Sequence, residues 1–145
     1  MVFTACGHLK DLLVVELDAG DDLLIKISEA CEAAGIKNGF VYGAVGRLQK
    51  AAVYTAAPIG RLKFGYMDEP LWFGGLLGAQ TLNSVEGIIC HDSAGTVSCH
   101  MHCFFSDPDG FAHGGHLPEG TRILEKATVM IGTIEGIDMA RKWDD

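Results

Sequence analysis

One stretch of this 145-residue chain spaces its apolar residues as a helix does, and that stretch limits the folds the chain can adopt. Over residues 21–39 the apolar side chains recur with helical spacing, at Leu23, Leu24, Ile27, Ala30, Cys31 and Ala34. Asp21 and Asp22 suit the start of a helix, and Gly35 suits its end. We therefore expect one main helix, with Cys31 as a thiol of the core.

The apolar runs outside that helix are typical of β-strands. HLKDLLVVELDAG precedes the helix as a short strand, and GFVYGAVGRLQKAAVYTA alternates around glycines, which predicts two more. Further strand-like runs follow, separated by Gly, Asp-Pro and Ser-Ala-Gly turns. The predicted fold class is α+β: one main helix packed on a curled, mostly antiparallel sheet. Because no repeat or linker interrupts the chain, residues 1–145 are expected to form a single domain.

Composition and charge exclude several classes of protein. Eleven Lys and Arg stand against 19 Asp and Glu, giving a net charge of −8 with no basic cluster, so DNA is a poor partner. No apolar run approaches the ~20 residues needed to span a bilayer, and the N-terminus lacks the pattern of a signal peptide. The five cysteines are an odd number, which favours reduced thiols and a cytoplasmic location.

The segment SCHMHCFFSDPDGFAHGGHL, residues 98–117, holds four of the six histidines and two of the five cysteines. In a strand successive side chains point to opposite faces, so His100 and His102 share one face and Cys99 and Cys103 share the other. A mixed Cys/His site would need side chains from both faces. The pleat therefore separates the thiols from the imidazoles.

A hairpin would bring a third imidazole to the same place. SDPDG has strong turn chemistry, so the chain can return as FAHGGHL and place His116 beside His100 and His102. Three neutral imidazoles suit Zn²⁺ or another divalent transition metal, and three protein ligands leave a fourth position for water or substrate. From spacing alone, hydrogen-bonded surface histidines remain the alternative. His113 is interpreted as a group behind the ligands or at the surface, and His91 as exposed at a turn.

Three stretches of the chain resemble the plant and prokaryote conserved (PPC) domain family from about residue 10 onward. They are LDAGDDLLIKISEACEAAGI, VYGAVGRLQKAAVY and VEGIICHDSAGTVSCHMHCFFSDPDGFAHGGHL. The most specific element is a His-x-His followed by an acidic turn and Gly-Gly-His-Leu. More remotely, the family is similar in fold to alpha-acetolactate decarboxylase, where a His-x-His and a later Gly-Gly-His bind zinc.

The resemblance implies an α+β homotrimer with clefts for small ligands near subunit boundaries. It also implies a metal held by His100, His102 and His116, as in some prokaryotic members. Plant members join the domain to AT-hooks, Arg-Gly-Arg-Pro cores that bind the minor groove of DNA. VGRLQK and IGRLKF lack the second arginine and the proline, so the resemblance gives no reason to expect DNA binding here.

Two functional hypotheses follow. In the first, the chain is a metal-dependent lyase or hydrolase acting on a small carboxylate or carbonyl metabolite, with Arg47 clamping a substrate carboxylate and Glu86 serving as acid/base or as a further metal ligand. Arg47 is alternatively a solvated residue at a strand end. In the second, the chain is a non-catalytic ligand-binding or regulatory module, whose subunit interface would use Trp72 and Phe73 with Leu71, Leu76 and Leu77. DNA-associated regulation is a weaker third hypothesis.

Overall fold

The computed structural model describes residues 4–61, 63–74 and 79–140; Leu76 and Leu77 lie outside these ranges. Within them the elements follow in the order β1 His8–Asp18, α1 Leu23–Ala33, β2 Gly39–Val53, β3 Ala56–Gly60, β4 Lys63–Tyr66, β5 Leu71–Gly74, β6 Gln80–His91, β7 Val97–Ser106, β8 Ala112–His116 and β9 Arg122–Glu135. No helix in this part of the chain is long and apolar enough to cross a membrane.

The helix begins and ends where its sequence predicts. Asp22 is the N-cap, and its carboxylate accepts hydrogen bonds from Ile25 N at 3.2 Å and from Gly120 N at 2.7 Å. The second bond ties the start of α1 to the loop before β9. Gly35 follows the helix with a φ of +66°, a conformation that glycine adopts without strain. Leu23, Ile27 and Cys31 are the buried face.

The main sheet has the strand order β1-β9-β2-β6-β7-β8, with β5 added to the far end of β2, and its strand pairs are antiparallel. α1 packs on β1 and β9 near one edge and on β7 near the other. Flat strands would put β1 about 19 Å from β7, which is wider than a helix. The sheet therefore wraps around α1. In the described ranges, the predicted main helix on a mostly antiparallel sheet is confirmed.

The segment expected to form two strands forms one. β2 runs unbroken through both of its central glycines, with register shifts against β9 between Val41 and Gly43 and between Gly46 and Leu48. A Cβ at Gly46 would lie 2.6 Å from the carbonyl oxygen of Lys126, so the neighbouring strand passes too close for any other residue. These glycines mark bulges in a long strand rather than a turn between two short ones.

Candidate metal centre

The candidate centre lies on the face of the sheet opposite the helix. It is a row of side chains that runs across three neighbouring strands. Glu86 of β6 is directly opposite His102 of β7, and His102 is directly opposite His116 of β8. Directly opposed residues of antiparallel strands project from the same face. His100 precedes His102 by two residues and joins that face. The turn that returns β8 beside β7 thus brings together the three predicted imidazoles.

The three imidazole rings lie close together. Ring centroids are 5.4 Å apart for His100 and His102, 4.8 Å for His100 and His116, and 5.9 Å for His102 and His116. One ring nitrogen from each residue lies within 4.8 Å of the other two. A zinc ion with ligand distances near 2.0–2.1 Å separates its ligand nitrogens by about 3.3 Å. Small rotations of the three side chains would therefore bring the ring nitrogens to the spacing that one zinc ion requires.

Backbone contacts hold His116 in this position. Its N–H donates to the carbonyl oxygen of Tyr54 at 3.0 Å, and its own carbonyl accepts from Tyr54 N at 2.9 Å. Gly115 makes this approach feasible, because a Cβ there would overlap the Tyr54 carbonyl oxygen. At Gly114 a Cβ would lie 2.6 Å from Cδ1 of Phe104. Gly114 and Gly115 therefore let β8 pack closely against Phe104 and Tyr54, which places His116 beside the other two histidines.

The surroundings of His116 favour its neutral form, which is the form of imidazole that binds a metal ion. Burial lowers the pKa of His116 below its ordinary value, and the neighbouring His100 and His102 lower it further. Nδ1 of His116 is buried and has no hydrogen-bond partner in the described chain. A buried ring nitrogen without a partner is unusual in a folded protein, and a divalent cation would satisfy it. The donor set therefore fits a transition metal, with nitrogen ligands of the kind that zinc accepts.

The cysteines lie on the other face of β7, as the pleat predicts. Met101 and Cys103 are fully buried in the core, and burial raises the pKa of Cys103 to about 12. Cys31 of α1 donates a hydrogen bond to the sulfur of Cys99, which lowers the pKa of Cys99 to about 7 and raises that of Cys31. These thiols join the strand to the helix and stand apart from the imidazoles.

His113 and His91 each contact a carboxylate outside the cluster. His113 Nε2 contacts Asp107 Oδ2 at 2.8 Å, and its ring packs on Phe73 at 4.5 Å between centroids. The same Asp107 side chain accepts the N–H groups of the turn, so His113 steadies the hairpin from the opposite face. His91 is half-buried rather than exposed, because its Nε2 lies 2.7 Å from Asp138 Oδ1 near the end of the described chain.

The two residues predicted to act with the histidines lie in different places. Glu86 is beside the cluster, opposite His102, where its Oε1 accepts a hydrogen bond from Ser84 Oγ at 3.3 Å. Arg47 is not. It pairs with Thr81 on β6, roughly 16 Å along the strand from the row of the histidines, and its guanidinium lies 3.4 Å from Glu125.

Sequence reasoning missed two aromatic residues of the centre. Tyr66 of β4 stacks on the His116 ring, with 4.6 Å between centroids and 25° between planes. Phe104 lies two residues beyond His102 and projects from the same face, a placement that strand alternation alone could have predicted. No local signal points to Tyr66, because its contact depends on how the β3–β4 hairpin folds over the sheet.

Comparison with known proteins assigns the family. The model of the Plants and Prokaryotes Conserved (PCC) domain, also written PPC, matches residues 5–135. The chain belongs to this family. The predicted resemblance to PPC proteins is therefore confirmed, and the histidine row lies within the matched PPC domain. No curated protein matches the chain.

Solved structures share the PPC fold with this chain. A PPC protein from Pyrococcus horikoshii is 21% identical with a TM-score of 0.77, over 97% of this chain and 90% of that one. A metal-containing protein from Archaeoglobus fulgidus is also 21% identical, with a TM-score of 0.74 over 99% and 94% of the two chains. A candidate DNA-binding protein from Bacteroides thetaiotaomicron is 15% identical, with a TM-score of 0.73 over 94% and 90%.

Proposed function

We propose that this PPC-domain chain binds one divalent transition metal ion, zinc by preference, through His100, His102 and His116. The observation that carries the proposal is the grouping of three ring nitrogens within 4.8 Å of one another. One of the three residues, His116, has a buried ring nitrogen with no partner among the residues that the structure describes. Three imidazoles leave a coordination position open, which is the arrangement of catalytic rather than structural zinc. The Archaeoglobus relative, named as metal-containing, adds support.

The chemistry we propose is that of a lyase or hydrolase acting on a small carbonyl compound. An ion in this site would supply a Lewis acid that polarises a carbonyl oxygen. Glu86, in the same row as two of the histidines, would accept a proton from a ligand bound beside His102. Ile88 and Phe104 would exclude water from one side of that ligand.

Metal titration of the chelator-treated protein tests the metal site. We expect zinc or cobalt to bind at one ion per chain, because the strands preform the ligand set. Cobalt bound by three imidazoles and one further ligand should give the visible absorption of a tetrahedral site. Because the core is independent of the histidines, the metal-free protein should stay folded by circular dichroism. Binding well below one ion per chain would refute the proposal.

We further propose that residues 1–145 are a single domain that assembles as a cytoplasmic homotrimer. The sheet face away from α1 supports assembly, since it carries Leu12 and Val14, each 54% exposed, and Val45, 59% exposed. Trp72 of β5, 50% exposed, adds a second apolar area. Sedimentation equilibrium should give three times the 15.5 kDa chain mass, and a monomer would exclude this assembly.

A non-catalytic binding or regulatory module is the second candidate function. It rests on relatives from Bacteroides thetaiotaomicron and Ralstonia eutropha, both named as candidate DNA-binding proteins. The net charge of −8 and the missing AT-hook oppose DNA binding by this chain. A salt-dependent gel shift at submicromolar protein would favour the module over the enzyme.

A further inference from the structure

His100 and His102 line a depression of about 330 Å³ whose lining carries one charge. The lining residues are Glu86, Gly87, Ile88, His100, His102 and Phe104. Among them there is a carboxylate, two apolar side chains and no lysine or arginine. The arginine expected to clamp a substrate carboxylate pairs instead with Glu125, well along the sheet. Apart from the proposed metal ion, the lining therefore offers no positive charge to a ligand carboxylate, and the position beside Glu86 disfavours one.

Glu86 is positioned to select among ligands. It is directly opposite His102, so the Cβ atoms of the two residues are about 5 Å apart, and a ligand reaching the imidazoles passes the carboxylate. A carboxylate accepts hydrogen bonds and donates none. It therefore favours a ligand with an N–H or O–H group and repels an anion in the same place.

We propose that the site takes an uncharged carbonyl compound with an N–H or O–H donor and a small apolar group, the chemistry of a branched aliphatic amide. This inference rests on the proposed metal site, where the carbonyl oxygen would be held. The donor group faces Glu86, and the apolar group packs on Ile88 and Phe104.

Isobutyramide and isobutyrate are matched probes, since they share one shape and differ in charge and in N–H donors. We would measure the affinity of both for the zinc-loaded protein by calorimetry at pH 7.5. Isobutyramide should bind, and Glu86→Gln should strengthen isobutyrate binding about tenfold, because a neighbouring like charge at a partly exposed site weakens affinity by about that factor. The amide should change by less than about threefold.

The controls separate this inference from the metal site itself. Arg47→Gln should leave isobutyrate binding unchanged, whereas a loss would restore the carboxylate clamp and overturn the inference. Zinc content and circular dichroism of each variant verify the metal and the fold. Suppose that zinc binds at one ion per chain. If Glu86→Gln then leaves the ratio of isobutyramide to isobutyrate affinity unchanged, or if isobutyramide does not bind, the ligand class is wrong while the metal site stands. If zinc itself does not bind, both proposals fail.

Discussion

Replacing His100 by alanine should abolish stoichiometric zinc binding while the protein stays folded. Changes to residues that only support a ligand already lower metal affinity by about 10- to 100-fold, so removal of one ligand of three should lower it by more than ~100-fold. The imidazole of His100 is half-buried and packs on His102 and His116, outside the core cluster. We therefore expect little loss of stability in the metal-free state.

Cys99→Ala is the matched control for this experiment. Cys99 is the neighbour of His100 on β7, but it projects from the opposite face and contacts Cys31 of the helix. This variant should keep one zinc per chain by elemental analysis, even if its melting temperature falls. Full zinc content in His100→Ala, or loss of zinc in Cys99→Ala, would contradict the assignment of the ligands to the imidazole face.

Gly115→Ala should lower stability clearly, because the added methyl group has no space. A Cβ there overlaps the carbonyl oxygen of Tyr54, and it would also lie 3.2 Å from Cβ of Val53. The Tyr54 backbone cannot withdraw without breaking its two hydrogen bonds to His116. We expect a loss of about 2–3 kcal/mol in the free energy of unfolding, or about 6–10 °C in Tm. Zinc affinity should fall as well, because His116 moves with its backbone.

Gly43→Ala provides the comparison, since this glycine also lies in a strand. A Cβ at Gly43 would meet Cε of Met130 at 3.0 Å, which is the end of a flexible side chain. We expect a loss below about 1 kcal/mol and unchanged zinc content. Equal melting temperatures for the two variants in a thermal unfolding experiment would show that Gly115 is not required for close packing.

The sequence predicts the features of the candidate site that depend on local geometry. Strand alternation separates His100 and His102 from the cysteines, and the SDPDG turn brings back His116, because both effects act over fewer than 20 residues. The helix is predictable for the same reason: its cap, its period and its terminal glycine are neighbours in the chain. Glu86 faces the histidines through the register of β6 on β7, which the turn at Asp92–Thr96 sets over a similar distance in sequence.

Features that depend on distant pairings could not be predicted. Arg47 meets Glu125 because β9 lies beside β2, a neighbour 78 residues away in sequence. Tyr66 reaches His116 only after the β3–β4 hairpin has folded over the sheet. The apparent break in β2 is a bulge, and only the closeness of β9 distinguishes it from a turn. In each case the deciding contact belongs to another segment of the chain.

The place of β9 between β1 and β2 has a consequence for how the chain folds. During synthesis β1 and β2 emerge early, yet the strand that pairs with both is the last of the sheet to leave the ribosome. Both strands must keep unpaired edges until residues 122–135 have been made. Such long-range pairing slows folding and exposes strand edges that other chains can pair with. The sheet can therefore close only after β9 has been translated.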